Sequence, residues 1–356
     1  MADTPKTQFL TNDNLTRKKW ARDLFSIILP AVEINSLVGK DSNSIVQIKT
    51  DLGKGEGDQI TFGIRLPLVG EGVVGNDTVE GNEEKLRFKD FKMTIEELNH
   101  AVDTGGRMEE QRVPYDLMKE GKNGLQDWWV AKLNTYLMAV LCGDTSYAIV
   151  AGKTFGTTIT APDTGHHITA NDVAETSMTS ADVMDLTMLD KMKQRAEIPS
   201  TGCYKLRPLS LGGKNYYRVI LHNYVFDQLR QNTNVGQWGD LQRAANKLQV
   251  PNTEIEYNGM LISKSENIRK APTNSSVYRN LFLGCQAAVW AWGGAGESKS
   301  TTMAFVPYTK DAERFVMIRG GGILALQNPS SIARTMELLL VVLGAQRLRK
   351  GGVSYG

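Results

Sequence analysis

Long hydrophobic runs are missing from this chain. The longest, Leu137–Cys142 and Leu338–Leu343, are six residues each, far below the ~20 that a membrane-spanning helix needs. The amino-terminal stretch Met1-Ala-Asp-Thr-Pro-Lys-Thr-Gln8 is polar and lacks the apolar segment of a secretory signal. Cysteine is scarce as well. Cys142, Cys203 and Cys285 are odd in number and far apart, so neither a disulfide framework nor a metal spacing can be read from them. Together these absences predict a protein made and kept in a cytosol. An excess of one charge is also absent, with 41 Lys and Arg against 39 Asp and Glu and a net charge of +2. No strong global field therefore recruits nucleic acid or an anionic membrane. There is no internal repeat and no low-complexity segment.

Catalytic and ligand-binding signatures are equally thin. Gly293-Gly-Ala-Gly-Glu-Ser-Lys-Ser300 is the nearest approach to a phosphate loop, but Ser298 stands where the motif needs glycine before the lysine. The same stretch half-matches a nucleophile elbow and lacks its second glycine. Of four histidines, His166 and His167 are adjacent, and neighbours on extended chain point to opposite faces and rarely share one ion. A solvated loop is the expectation there, and hydrogen-bonded structural roles for His100 and His222. Arg347, Arg349 and Lys350 have no interleaved aromatics and read as a solvated tail. The expectation is no catalytic, cofactor-binding or metal-ligating residue and no required cofactor.

What the chain does have is glycine and one long hairpin. Thirty-four glycines in 356 residues exceed the usual share of about 7%, as in a strand-rich protein with many turns. Gln59-Ile-Thr-Phe-Gly-Ile-Arg-Leu66 places Ile60, Phe62, Ile64 and Leu66 on one face at the strand period of two. Pro67 to Glu84 then brings four glycines, five carboxylates and no lysine or arginine. The return strand resumes at Lys85 with Leu86 and Phe88, then Phe91, Met93 and Ile95. Its change of phase between Phe88 and Phe91 predicts a bulge or bend. A two-stranded ribbon is marginal in water unless its apolar face lies on something, either a neighbouring molecule or its own subunit. The tip, with Glu80, Glu83 and Glu84, is a solvated acidic loop or a contact to a neighbour's basic patch, for which Arg17, Lys18, Lys19 and Arg22 are candidates. It lacks the ordered oxygen ladder of a calcium loop.

Around this arm, a helix is predicted from Asp13 or Asn14 to Leu29, then a strand at 44–50. Pro114 is placed to open a second helix. Its strong part runs through Leu125, Trp128, Trp129, Leu133, Tyr136, Leu137, Val140 and Leu141, with Gly143 suited to the left-handed position past its end. A third helix is expected from Thr179 or Ser180 to Glu197, with Val183, Leu186 and Leu189 on its apolar stripe. Tyr224–Gln231 reads as a short helix. Tyr216–Leu221, Glu254–Ser263, Leu281–Trp292, Phe305–Tyr308 and Phe315–Ile318 read as strands, and 330–343 is open between helix and buried strand.

An ordered set of short segments carries a resemblance. It comprises Trp20-Ala-Arg-Asp-Leu-Phe25, Gly57-Asp-Gln-Ile-Thr-Phe62, Glu80-Gly-Asn-Glu-Glu-Lys-Leu86, Gly106-Arg-Met-Glu-Glu-Gln-Arg112, the helix ending in Leu141-Cys-Gly143, and Tyr257-Asn-Gly-Met-Leu-Ile262. With its order of helix, β-arm, long helix and glycine-rich body, the chain resembles the major capsid proteins of tailed double-stranded DNA bacteriophages. The resemblance implies an α+β fold with an N-terminal arm, an extended β-hairpin arm, a peripheral domain with a long spine helix, and an axial domain. The corresponding division is 1–43 for the N-terminal arm and helix, 44–98 for the β-arm, and 99–200 for the peripheral domain. Residues 201–335 form the axial domain and return strands, and 336–356 the C-terminal segment. It further implies an icosahedral head shell, assembled in the bacterial host cytoplasm, whose subunits partner with copies of themselves in hexamers and pentamers. Portal, scaffolding or decoration proteins and non-specifically held double-stranded DNA on the inner face are the other implied partners, with no membrane. The short segment before the first helix argues against a large fused scaffold. Two other readings stay open from the residues: another virion part, such as a tail or decoration protein, and a cytosolic enzyme with a hairpin lid.

Overall fold

The computed structural model describes residues 38–49, 58–198, 205–231, 253–294, 303–327 and 338–344, apart from isolated positions within those ranges. The predicted first helix, Ser298 and the basic residues of both chain ends lie outside them. Strands β1 (Val38–Gly39) and β2 (Val46–Lys49) lead to the arm strands β3 (Gln59–Arg65) and β4 (Phe88–Thr94), and then to β5 (Glu96–Gly106). Helices α1 (Arg107–Arg112) and α2 (Leu117–Leu141) follow, then β6 (His167–Thr169) and α3 (Leu186–Glu197). After β7 (Leu209–Leu211), β8 (Lys214–His222) and α4 (Asn223–Gln231) come β9 (Ile255–Tyr257), β10 (Met260–Ser265) and β11 (Val277–Leu283). The chain closes with β12 (Ala288–Trp292), β13 (Met303–Lys310), β14 (Phe315–Gln327) and β15 (Leu338–Gly344).

Two sheets organise these elements. The six-stranded sheet runs β1-β2-β12-β14-β13, with β5 also paired to β14. The seven-stranded sheet runs β6-β15-β11-β8-β10-β9, with β7 hairpinned onto β8. Two cores lie against these sheets, and Leu209, Ile220, Leu281 and Leu283 of the seven-stranded sheet contribute to the first. The first is built on α2 with Trp129, Trp290, Trp292 and Phe305, and the second on α3 and α4 with Met188, Met192, Phe226 and Phe282. Helix α3 thus packs with the seven-stranded sheet, although the sequence groups it with α2. Strands β12 to β14 pack with α2, although the sequence groups them with β8 to β11.

Helix α2 begins three residues after Pro114, because the Asp116 carboxylate caps it by accepting from the amides of Met118 (2.9 Å) and Lys119 (3.1 Å). Its 25 residues span about 37 Å. Its first half carries Gly121 and Gly124, which weaken an isolated helix. At Gly121 the packing explains the residue: a β-carbon there would stand 3.0 Å from Thr104 Cγ2, so glycine lets the helix lie close on β5. The end of the helix is different in kind. Every residue from Tyr136 to Leu141 is buried, so the helix enters the body of the protein instead of lying along its surface. Gly143, at φ +59°, closes it as expected. The amide of Asp144 donates to the carbonyl of Ala139 and that of Gly143 to Val140, the paired bonds of a Schellman turn.

Several strands differ from the sequence reading. Leu281–Trp292 is two strands in two sheets, because Gln286 turns at φ +56° and sends the chain across. Glu254–Ser263 is a hairpin, turning at Asn258 and Gly259, both with positive φ. Helix α3 starts at Leu186, since Asp185 caps Met188 while Asp182 accepts from Thr179 and Asn171 in a separate turn. Val183, expected on its stripe, is exposed. Residues 338–344 form a strand, antiparallel to β11. Strand β5 was not foreseen. Its alternation of Leu98, His100, Val102 and Thr104 inward against Glu97, Asn99, Ala101 and Asp103 outward is a half-polar pattern.

The largest departure is Gly320-Gly-Gly322, which lies inside the 13-residue strand β14, paired on both edges. A β-carbon at 320 would stand 2.9 Å from the buried Trp129 Nε1, so glycine here makes room for an indole. At 321 the obstacle is the end of the exposed Asn99 side chain, which can swing aside. Gly320→Val should therefore destabilise the protein by about 1–3 kcal/mol through overpacking, and Gly321→Ala by less than 0.5 kcal/mol or so. Urea denaturation of the two variants checks the contrast; equal midpoints would contradict it.

Candidate functional site

The arm leaves the body from a root that its own subunit buries. Ile60 and Met93 face each other across the arm, and with Ile95 they pack on Val289, Ala291 and Ala325 of the six-stranded sheet. The Ile95 amide donates to the Asp58 carbonyl at 2.9 Å, and the Gly156 amide donates to the Glu96 carboxylate. Ile60, on a face the sequence left open between a neighbour and its own subunit, is thus a core residue of its own chain. Pairing of Gln59–Arg65 with Phe88–Thr94 is continuous, with Phe62 opposite Phe91 and Phe88 opposite Arg65. The register runs without a shift from Gln59–Thr94 to Arg65–Phe88, so the paired strands contain no bulge.

Beyond the paired strands the tip is exposed. Leu68, Val74, Val79 and Leu86 are 61%, 82%, 65% and 59% accessible. The tip is ordered by its own short bonds, with Glu84 accepting from the Gly70 amide (2.6 Å) and Glu83 from the Gly81 amide (2.9 Å). Glu80 is exposed. Four separate aliphatic side chains on one protruding loop, with carboxylates between them, form a surface that a partner can cover.

The arm's sheet is joined to the second unit at the end of α2. Arg279 of β11 donates from Nε and Nη2 to the two Glu175 oxygens (2.7 and 2.9 Å). From Nη1 it donates to the carbonyls of Cys142 (3.1 Å) and Gly143 (2.9 Å) at the helix end. Thr273 Oγ1 adds a bond to Glu175 (2.9 Å), and Arg269 Nε pairs with the buried Asp144 (3.0 Å). A cation at a helix C-terminus is favoured by the macrodipole, and the five-donor guanidinium satisfies carbonyls that water cannot reach. Burial pushes the Glu175 carboxyl up, but the hydrogen bonds and charge of Arg279 outweigh it and leave it below the ordinary glutamate range. These residues were not singled out from the sequence. The available signal was a charged residue at 279 within the apolar strand Val277–Leu283.

The groups with catalytic potential are otherwise silent. Burial pushes the Cys142 thiol up to about 12, and Cys285 is buried as well. His222, lowered to about 4 by burial and by Lys270, stacks on Tyr278 at 3.8 Å, and His100 stacks on Trp128 at 4.2 Å. Trp128 and Trp129 meet edge to face, and Tyr136 donates to the Leu326 carbonyl (3.1 Å), so this aromatic group is core. His166 is buried and His167 lies on β6, not on a solvated loop. Among the described residues no three His, Cys, Asp or Glu could hold a metal ion, and no helix is long and apolar enough to cross a membrane.

Two glycine-rich sheets, a buried-ended helix and a rooted arm match the fold of phage capsid subunits. The capsid protein of Ralstonia phage GP4 superposes with a TM-score of 0.76 at 23% identity, covering 97% of this chain and 99% of that one. The capsid of cyanophage Pam1 gives 0.68 at 14% identity over 97% and 95%, and the head of Helicobacter pylori bacteriophage KHP40 gives 0.64 at 13% over 89% and 91%. The family of phage capsid proteins matches residues 8–307, and the chain belongs to that family. The major capsid protein of Pseudomonas phage KPP25 is 25% identical over 244 residues, 63% of this chain; the match spans 64% of that relative's length.

The Arg279–Glu175 pair yields two predictions. Arg279→Leu should destabilise by about 3–5 kcal/mol, the cost of leaving a buried carboxylate unpaired, read as a lowered Tm. Because the Glu175 pKa is depressed on folding, its stabilisation is fully present above the unfolded value of about 4.3. It is lost as pH falls through the lower folded value. The Tm difference between the native protein and Glu175→Gln should accordingly be constant near neutrality and vanish in acid; a difference that grows below pH ~4 would contradict the assignment.

Proposed function

We propose that this chain is the major subunit of the head shell of a tailed double-stranded DNA phage. It assembles with copies of itself into hexamers and pentamers and acts as a structural protein, not an enzyme. The unit built on α2 and the six-stranded sheet is the peripheral domain, and the unit built on the seven-stranded sheet gathers at the five- and sixfold axes. Assembly takes place in the host cytoplasm, with portal and scaffolding or decoration proteins as further partners and DNA held non-specifically inside. A net charge of only +2 suits that last role, because a strongly basic wall would bind the phosphate backbone tightly.

One observation carries this reading: the arm has a root buried in its own core and a tip whose Leu68, Val74, Val79 and Leu86 are left in water. A lid that closes over a site in its own subunit needs a site beneath it, and no metal-holding cluster of His, Cys, Asp or Glu occurs among the described residues. A tip that covers an adjacent copy needs only the exposed aliphatics, with the carboxylates setting register.

The double variant Leu68→Asp, Val74→Asp tests it. Both positions are exposed, so the subunit should melt within about 0.5 kcal/mol of the native protein yet elute as small species, with no shells by electron microscopy. Normal particles would overturn the proposal. A discrete trimer or stacked rings from the native chain would favour a tail part instead.

A further inference from the structure

Between β6 and the last turns of α3 lies an open cleft of about 410 Å³, lined by His167, Thr169, Asp172, Lys191, Gln194 and Arg195 among others. Nothing in the assembly reading uses it. Lys191 and Arg195 stand four residues apart on one face of the helix. Lys191 is balanced, its Nζ 2.7 and 2.8 Å from the two oxygens of Asp172. Arg195 has no carboxylate partner among the described residues, and its Nε is buried without a hydrogen bond. The Nε2 of His167 is in the same condition.

An Nε–H or Nε2–H left unpaired behind a cleft wall is a donor that has lost water and gained nothing. Cations in the last turns of a helix also offset its negative end, which accounts for the position of Lys191 and Arg195. It does not account for two stranded nitrogens from two different elements meeting at one opening. A small rotation of the imidazole or the guanidinium would aim both at the cleft, beside Lys191 Nζ and the hydroxyl of Thr169. Such a donor set is cationic and hydroxylic, and an arginine in it can grip two oxygens at once.

We propose that this cleft binds a phosphate-type oxyanion, held chiefly by Arg195 with Lys191 and His167. Two sources share that chemistry: free phosphate and the phosphodiester backbone of nucleic acid. Bound there, the anion would fasten β6, an end strand of the seven-stranded sheet, to α3.

Burial holds the His167 imidazole below its ordinary value, with Glu175 raising it and Arg279 lowering it further. Asp172 and the cations Lys191 and Arg195 face the same cleft. An anion at the site should favour the imidazolium and bring the pKa back up.

The test uses the full chain and inorganic phosphate. Isothermal titration calorimetry should show saturable binding, weakened at least tenfold in Arg195→Gln and partly restored in Arg195→Lys, which keeps the charge without the two-oxygen grip. The His167 resonances should titrate at higher pH when phosphate is present. A helix-capping arginine alone would move neither readout. Tm in phosphate-free buffer shows that each variant is folded; Lys191→Gln, which leaves Arg195 in place, supplies a second variant and should bind more weakly. Competition by a short single-stranded oligonucleotide at equal phosphate concentration would assign the nucleic-acid source, and its failure to compete the free anion. Absence of saturable binding to the native protein, or equal binding by Arg195→Gln, would overturn the proposal.

Discussion

Everything in this subunit hangs on how a long helix can end inside a protein. The last turn of α2 is buried on all sides, so its final carbonyls cannot turn to water. A Schellman turn at Gly143 satisfies the carbonyls of Ala139 and Val140, and Arg279 of the neighbouring sheet donates to those of Cys142 and Gly143 while holding Glu175 in a two-toothed grip. A buried ion pair of this kind adds little net stability relative to apolar packing, but breaking it is costly. Its consequence here is geometric. The guanidinium meets four acceptors at once and adds a directional contact to the apolar packing of Leu281 and Leu283 on the α2 core. Asp144 and Arg269 repeat the linkage one step along the chain.

The same logic of buried root and free end describes the arm. A two-stranded ribbon is too weak to hold a direction by itself, and the Ile60–Met93 pair gives it one by inserting into the core of the six-stranded sheet. Farther out, the tip carries local bonds, Glu84 and Glu83 accepting from the amides of Gly70 and Gly81 and Asn82 donating to the carbonyls of Val79 and Thr78. A shell subunit of the phage capsid family has to present its contact surfaces at fixed angles, and a rigid root with an adaptable tip meets that demand. The joint at Arg279 lies on the seven-stranded sheet and the root at Ile60 on the six-stranded one.

Much of the fold was legible in the residues, and the parts that were not share a cause. Periodicity located α2, α4, the arm and most strand centres, because burial on one face imposes a local pattern. It failed where the pattern was polar, as in β5, or where the residues were small for another element's sake. Gly320 reads as a breaker in isolation and as a strand residue once Trp129 is seen to lie against it. Gly121 weakens a helix on paper and lets α2 approach β5 in fact. The break between β11 and β12 was invisible for a related reason: both halves are apolar, and only the sheet each joins tells them apart.

The sequence by itself determined the class of molecule: a near-neutral, motif-poor, glycine-rich chain with one long hairpin and one long helix, in an order shared with phage capsid subunits. Local chemistry also determined Gly143 as the helix stop, since glycine adopts φ +59° at no steric cost. The tertiary structure decided which contacts are internal. It assigned Ile60 to the core of its own chain, gave Glu175 its arginine across 104 positions of chain, and brought β6 and α3 together around a cationic cleft. Pairings of that kind have no period along the chain, because they are set by which surfaces meet after the elements have formed.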